Sequence, residues 1–255
     1  MTDVAVVESP GEGMPAEELM VSVLDTFTFH AGNRALALPS GSRKLLAFLA
    51  LRDRPATRHL VASSLWPEAP PQDAASSLRS ALWRLKPTAS AAVVVEDLDL
   101  GPHPGVRVDI RESRALAHRL LDPTSEILPG DETAAAVASL SVDLLPGWYD
   151  DWVVIENEEW HQLRLHALEA MAAHLTIKGR WAEAVIAALA AIRAEPLRES
   201  AHGALIKVFL AEGNQKEALE SFNRYRAMLT SELGIEPTAQ MTGLVANLGR
   251  RHTDP

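Results

Sequence analysis

Two short segments of this chain repeat each other at a fixed distance. Gly179-Arg-Trp-Ala-Glu-Ala184 is echoed by Gly213-Asn-Gln-Lys-Glu-Ala218, an offset of 34 residues. That period is one helix–turn–helix unit, whose glycine closes the turn and whose small residues let paired helices approach closely. In the first unit Ala191 and Pro196 fall where such a repeat places its small residue and its terminating proline. In the second, Phe222 fits, Thr230 stands in place of the proline, and the proline arrives late as Pro237. Two units cannot bury a continuous core by themselves. Ala- and Leu-rich helical patterns at about 112–121, 132–144, 151–178 and 238–248 are therefore expected to complete the bundle. The reading for residues 111–250 is a helical domain like a tetratricopeptide repeat.

The first part of the chain has a different pattern. Residues 1–18 are acidic and rich in Pro and Gly, which predicts a disordered tail. Alternation from Val21 through Val23 to Phe27 and Phe29, a turn, and then residues 35–38 predict a β-hairpin. Ser40 or Ser42 can cap a helix through residues 43–51, and Thr57 can cap a second over residues 58–66, which Pro67 ends. A third helix runs over residues 73–86, with Leu78, Leu82 and Leu85 as its apolar stripe. Ser76, Arg79, Ser80, Trp83, Arg84 and Lys86 occupy the rest of its circumference. Val93–Val95 and Val106–Val108 read as a second hairpin. Strands, three helices with the third basic, then a hairpin is the order of a winged helix-turn-helix, spanning residues 19–110. The fold class expected is mostly α with a small β part.

Charge supports this division. The net charge is −10, but residues 40–90 carry eight basic and three acidic side chains. Residues 122–255 carry eleven basic and twenty acidic. A basic island in an acidic chain suits a local polyanion-binding module, and the acidic remainder confines contact to that island. Cysteine is absent, which excludes disulfides, thiolate metal sites and a cysteine nucleophile, and is compatible with a reducing cytoplasm. The longest apolar run, residues 184–192, is far short of the roughly 20 needed to cross a bilayer, so no membrane contact is expected.

Ser64-Leu-Trp-Pro67, followed by Ala75-Ser-Ser-Leu-Arg-Ser-Ala-Leu-Trp-Arg-Leu-Lys86, resembles the DNA-binding domain of the antibiotic-regulatory (SARP-type) activators of actinobacteria. Asp143-Leu-Leu-Pro-Gly-Trp-Tyr-Asp-Asp-Trp152, Gln162-Leu-Arg-Leu165, Glu195-Pro-Leu-Arg-Glu199 and Glu232-Leu-Gly-Ile-Glu-Pro237 resemble their bacterial transcriptional activator domain. The resemblance covers about residues 20–250. It implies a winged helix of the OmpR type joined to a TPR-like domain. It also implies a transcriptional activator that binds repeated promoter sites on double-stranded DNA and contacts RNA polymerase. Self-association on DNA and a small-molecule effector remain open as further roles of the helical domain.

Candidate residues follow from chemistry. Arg79 and Ser80, near the middle of the third helix, are the expected base-edge readers, with Ser76 on the same helix. Arg84, Lys86, Arg43, Lys44 and Arg58 are expected to meet phosphate. Trp83 is read as packing against the wing, with contact to a thymine methyl or sugar as its functional alternative. The apparent wing turn, Glu96 to Asp99, is acidic, so the wing is expected to add little DNA affinity or to contact a protein. Trp148, Tyr149 and Trp152 beside Asp150 and Asp151 read as a domain-junction core with capping aspartates, or as a ligand or partner groove. Glu158 and His161 form a lone Glu-x-x-His pattern, and His161 and His166 are five apart, so neither predicts a metal site. No nucleophile elbow, phosphate loop or dinucleotide fingerprint is present, and no enzyme activity or cofactor is expected. The competing reading is a protein-interaction or small-ligand-sensing adaptor with a weak or inactive DNA-binding domain.

Overall fold

A computed structural model describes residues 18–85 and 87–248. Residues 1–17 of the expected acidic tail and Lys86 thus lie outside the described residues, while Glu18 pairs with Arg107. The chain is mostly helical with a small β part, a winged helix-turn-helix followed by a TPR-like bundle, and divides into two compact units. One comprises residues 28–107 together with the chain up to Val21; the other comprises residues 22–27 and everything from Val108 onward. The 22–27 segment therefore joins the helical unit although it lies near the start of the chain.

In the first unit, β1 (Leu19–Ser22), β2 (Thr28–Ala31) and β3 (Arg34–Ala35) belong to a sheet ordered β3-β2-β1-β7, where β7 is Arg107–Val108. The expected first hairpin is realised between β2 and β3, with His30 opposite Ala35 across a turn at Gly32. Its first arm is not one strand through Val21 to Phe29. The chain breaks at Leu24 and Asp25, and Asp25 adopts a φ of +65°.

Three helices follow. α1 (Ser40–Ala50) begins with Pro39 at the N-cap, so neither serine caps it. Ser42 is instead buried inside the helix, and its hydroxyl donates to the Ala81 carbonyl at 2.8 Å. β4 (Ala56–Thr57) leads into α2 (Arg58–Leu65), where Thr57 Oγ1 accepts from Leu60 N at 3.2 Å, the expected cap. α3 (Pro71–Trp83) starts with Pro71 in its first turn, where a missing N–H costs nothing. It stops at Arg84, and α4 (Pro87–Ser90) follows.

The wing pairs differently from expectation. β5 (Val93–Glu96) runs antiparallel to β6 (Asp99–Pro102), with Val95 opposite Leu100 and Glu96 opposite Asp99. β6 also pairs with β4, which makes a three-stranded sheet. The 106–108 segment is not the partner of β5; its last two residues form β7, in the other sheet.

The second unit is built from α5 (Asp109–Leu121), α6 (Ala134–Leu140), α7 (Asp151–Ile177), α8 (Trp181–Ala194), α9 (Glu199–Glu212), α10 (Gln215–Leu233) and α11 (Ala239–Val245). α7 packs on α8, α8 on α9 and α9 on α10, as in a stack of helical pairs. Gly179 and Gly213 end α7 and α9 with φ of +71° and +91°, the left-handed cap that glycine adopts freely. The fully buried Ala184, Ala187, Ala188 and Ala191 let α8 lie close to its neighbours. Asp109 at the start of α5 holds the 22–27 segment by accepting from Val23 N at 2.9 Å and Leu24 N at 3.2 Å.

Candidate nucleic-acid interface

α3 buries Ala74, Leu78 and Ala81, spaced i, i+4 and i+7, and packs on α1 and α2. Two alanines thus add to the expected leucine stripe. Leu78 belongs to it as expected, and Leu85, in the bend beyond the helix end, is buried as expected, whereas Leu82 is half-buried. The Ser42–Ala81 bond ties α1 to α3 on this side.

Burial on one side leaves Ser76, Arg79, Ser80 and Trp83 exposed, at i, i+3, i+4 and i+7. The four therefore share one outward face. Arg79 and Arg84 form no side-chain hydrogen bond or ion pair among the described residues, so both guanidiniums keep their full donor capacity. Asp73 is the single carboxylate of α3 and sits in its first turn, where the helix dipole favours it. Arg84 caps the C-terminal end, where a cation is also favoured.

Trp83 is 85% exposed, so it does not pack into the wing as expected. It borders a groove of about 400 Å³ together with Arg58, Arg79 and the wing residues Val93 and Val95. Arg58 is brought there because its backbone N–H donates to the Leu98 carbonyl at 2.7 Å, tying the start of α2 to the wing turn. On the opposite flank of α3, Ser76, Ser80 and Arg84 border a smaller, polar hollow of about 320 Å³ that reaches Pro39, Gly41 and Trp66. Arg43 and Lys44 lie in the first turns of α1 and are half-buried, each with an interaction of its own. The wing turn is Asp97–Leu98, flanked by Glu96 and Asp99, with Asp97 at a φ of +47° and Leu98 72% exposed.

The Trp148 cluster belongs to the helical unit. Phe27 and Trp148 have ring centroids 6.2 Å apart, and the half-buried Trp148 meets the half-buried Trp152 edge-on at 6.3 Å, so these rings pack on one another within the helical unit. Tyr149 does not join them and is 86% exposed. Asp151 lies exposed in the first turn of α7, and Asp150, although at the N-cap, makes no capping hydrogen bond with its side chain. Arg164, given no role beyond its place in the Gln162-Leu-Arg-Leu165 motif, is 3% exposed, pairs with Asp143, and comes within 3.1 Å of His161 Nδ1. His161 Nε2 lies 3.5 Å from Glu195, and His166 is held by Arg198 at 3.1 Å, so the two histidines serve separate contacts.

A winged helix carrying a free basic helix face, followed by a TPR-like helical unit, defines a transcription regulator. The description of the bacterial transcriptional activator domain matches residues 108–248, more than half of the chain. The chain belongs to that family, that of the SARP-type regulators. It is 29% identical over 257 aligned positions to the regulatory protein AfsR of Streptomyces coelicolor, covering 91% of this chain and 25% of that protein. Against the regulatory protein AfsR of Streptomyces griseus it is 29% identical over 254 positions, covering 92% and 25%. The chain thus spans about a quarter of the length of the curated relatives it matches. Among solved structures, Mycobacterium tuberculosis EmbR in complex with a low-affinity phosphopeptide superposes with a TM-score of 0.68 at 20% identity. The match covers 91% of this chain and 65% of that one, and it is a likeness of fold.

Proposed function

We propose that this regulator binds double-stranded DNA by laying α3 in the major groove, and that its helical domain contacts RNA polymerase and neighbouring copies on repeated sites. The observation that carries the reading is the Ser76–Arg79–Ser80–Trp83 face, solvent-exposed and with an unpaired arginine at its centre. Arg79 reads a base edge, for which a bidentate arginine–guanine contact gives about 1–3 kcal/mol of discrimination. Ser76 and Ser80 donate or accept at bases or phosphates, and Trp83 offers its exposed ring to a thymine methyl or a sugar. Arg84 and Arg58 flank this face and meet the backbone, with Lys86, Arg43 and Lys44 as further phosphate contacts.

The acidic, leucine-tipped wing turn supports a distinct role. Carboxylates at Glu96, Asp97 and Asp99 repel phosphate, whereas Leu98 and three negative charges suit a basic protein surface. The wing therefore serves as a polymerase contact.

Selection of bound sequences from a random duplex pool tests the DNA reading. Wild type enriches a repeated motif at moderate salt, and Arg79→Ala loses the preference at one position of each half-site. The logarithm of affinity falls with that of salt by about 0.9 per phosphate contact. Enrichment of no motif by wild type, or an unchanged motif with Arg79→Ala, would remove α3 as the reading helix.

A further inference from the structure

The helical unit contains a hollow that DNA contact does not use. α7, α9 and α11 close around a space of about 480 Å³. This lies within the roughly 300–1,000 Å³ of small-molecule pockets, which are mostly apolar with a few polar groups. Ala173 and Ile177 of α7, Gly203 and Ala204 of α9, and Met241 and Leu244 of α11 form its apolar lining. Gly203 widens it, since a Cβ there would come to 3.8 Å from Met241 Sδ and 3.9 Å from Leu244 Cδ1. Ile177 is 85% exposed, a large apolar side chain left in water at the rim.

The charged groups of the hollow are unequally engaged. Glu169 Oε1 accepts from Arg198 Nε at 2.6 Å and from Ser200 Oγ at 2.7 Å. Glu199 accepts from the Thr238 backbone N–H at 3.1 Å, from the Thr238 hydroxyl, and from the Tyr225 hydroxyl at 3.4 Å. Lys207 is exposed and forms no ion pair or side-chain hydrogen bond among the described residues. Glu169 is neutralised by Arg198, whereas Glu199 has neutral donors as its partners and keeps its charge, turned to Thr238 and Tyr225. Lys207 is left without a counter-ion among the described residues. A ligand entering the hollow meets an unpartnered lysine beside an apolar floor, with the Glu199 carboxylate held toward Thr238.

We propose that this hollow binds a small apolar carboxylate, with its hydrocarbon part between α7, α9 and α11 and its carboxylate on Lys207 Nζ. Such a ligand bridges the short α11 to the long α7 and holds the end of the repeat stack closed. The inference stands apart from the DNA reading, because its test needs no DNA.

Titration calorimetry of the full chain tests it, with octanoate, octanol and octyltrimethylammonium as probes at sub-micellar concentration. Octanoate binds saturably at one site and about three- to fivefold more tightly than octanol, the scale of one exposed ion pair. The ammonium probe binds more weakly than either. Lys207→Met, at an exposed position, abolishes the preference for octanoate over octanol and leaves octanol binding unchanged. Ala204→Phe fills the floor and weakens octanoate by at least about tenfold, with Lys207→Met as the control for folding. Absence of saturable octanoate binding to wild type overturns the proposal. Equal affinity for octanoate and octanol overturns the assignment of Lys207, and preference for the ammonium probe reverses the charge argument.

Discussion

Arg79 stands out for what it lacks: it carries a full charge on an exposed helix face, and no side chain among the described residues pairs with it. Arg164 is the opposite case, a guanidinium buried at 3% exposure and spent on Asp143. Burial works against its charged form, and the Asp143 carboxylate works in its favour. Sequence alone ranks two such arginines alike, because exposure is set by contacts between distant segments. His202 shows the same principle with a measurable consequence. It stacks on Tyr225 with ring centroids 4.3 Å apart, and its Nε2 lies 2.9 Å from the Pro196 carbonyl. Burial is the main cause that holds its pKa below the ordinary 6.5, and the Arg224 charge adds to it against the Pro196 hydrogen bond. Tyr225 is pushed up to about 12 by burial and by the Glu199 carboxylate, so its hydroxyl stays protonated. For His202 the folded pKa is the lower one, so the unfolded chain takes up more protons as pH falls. The stability this residue contributes is present above about pH 6.5 and is lost as pH drops below it. Thermal melts at about pH 7.5 and about pH 5.5 should show a lower Tm at the acidic end. His202→Gln should flatten that difference, and an undiminished pH dependence in the variant would assign the effect to other groups.

At the scale of elements, helices were the legible part. The 34-residue echo located the turns at Gly179 and Gly213, and the glycines occupy equivalent left-handed caps. A helix announces itself in local spacing because its hydrogen bonds close within four residues. Gly213→Ala isolates the cost of that cap, since nothing lies within 4 Å of a Cβ built there and only the backbone is strained. We expect a loss of about 1–2 kcal/mol, read as a lower urea midpoint at an unchanged slope. A loss under a few tenths would mean that the α9–α10 turn relaxes. Strands were less legible. Alternation marked residues 93–95 and 106–108 correctly as extended but paired them wrongly, since a strand's partner is set by the turn and the sheet it meets. The two-residue turn at Asp97–Leu98 joins β5 to β6, while Arg107–Val108 enters the other sheet. The α3 stripe was largely legible: Leu78 and Leu85 are buried and Leu82 is half-buried, while the contribution of small residues to the same face was not. α3 also buries Ala74 and Ala81 where it packs on α1 and α2.

At the scale of the molecule, the chain divides in space differently from its order in sequence. Residues 22–27 belong to the helical unit, where Asp109 receives the Val23 and Leu24 N–H groups and Phe27 lies beside Trp148. A fragment of residues 108–255 loses those partners. It should melt below the corresponding transition of the full chain, and a fragment of equal stability would make the 22–27 segment dispensable. By itself the sequence determined the class of fold, the helical repeat with its glycine turns, the basic island and the family, because composition, period and motif are properties of neighbouring residues. Tertiary structure alone decided which strand pairs with which, which side of α3 faces outward, that Trp83 lies in solvent, and that Lys207 has no ion-pair partner among the described residues beside an apolar hollow. Those facts depend on contacts between residues far apart in the chain, and the energy of such contacts is not written in any local pattern.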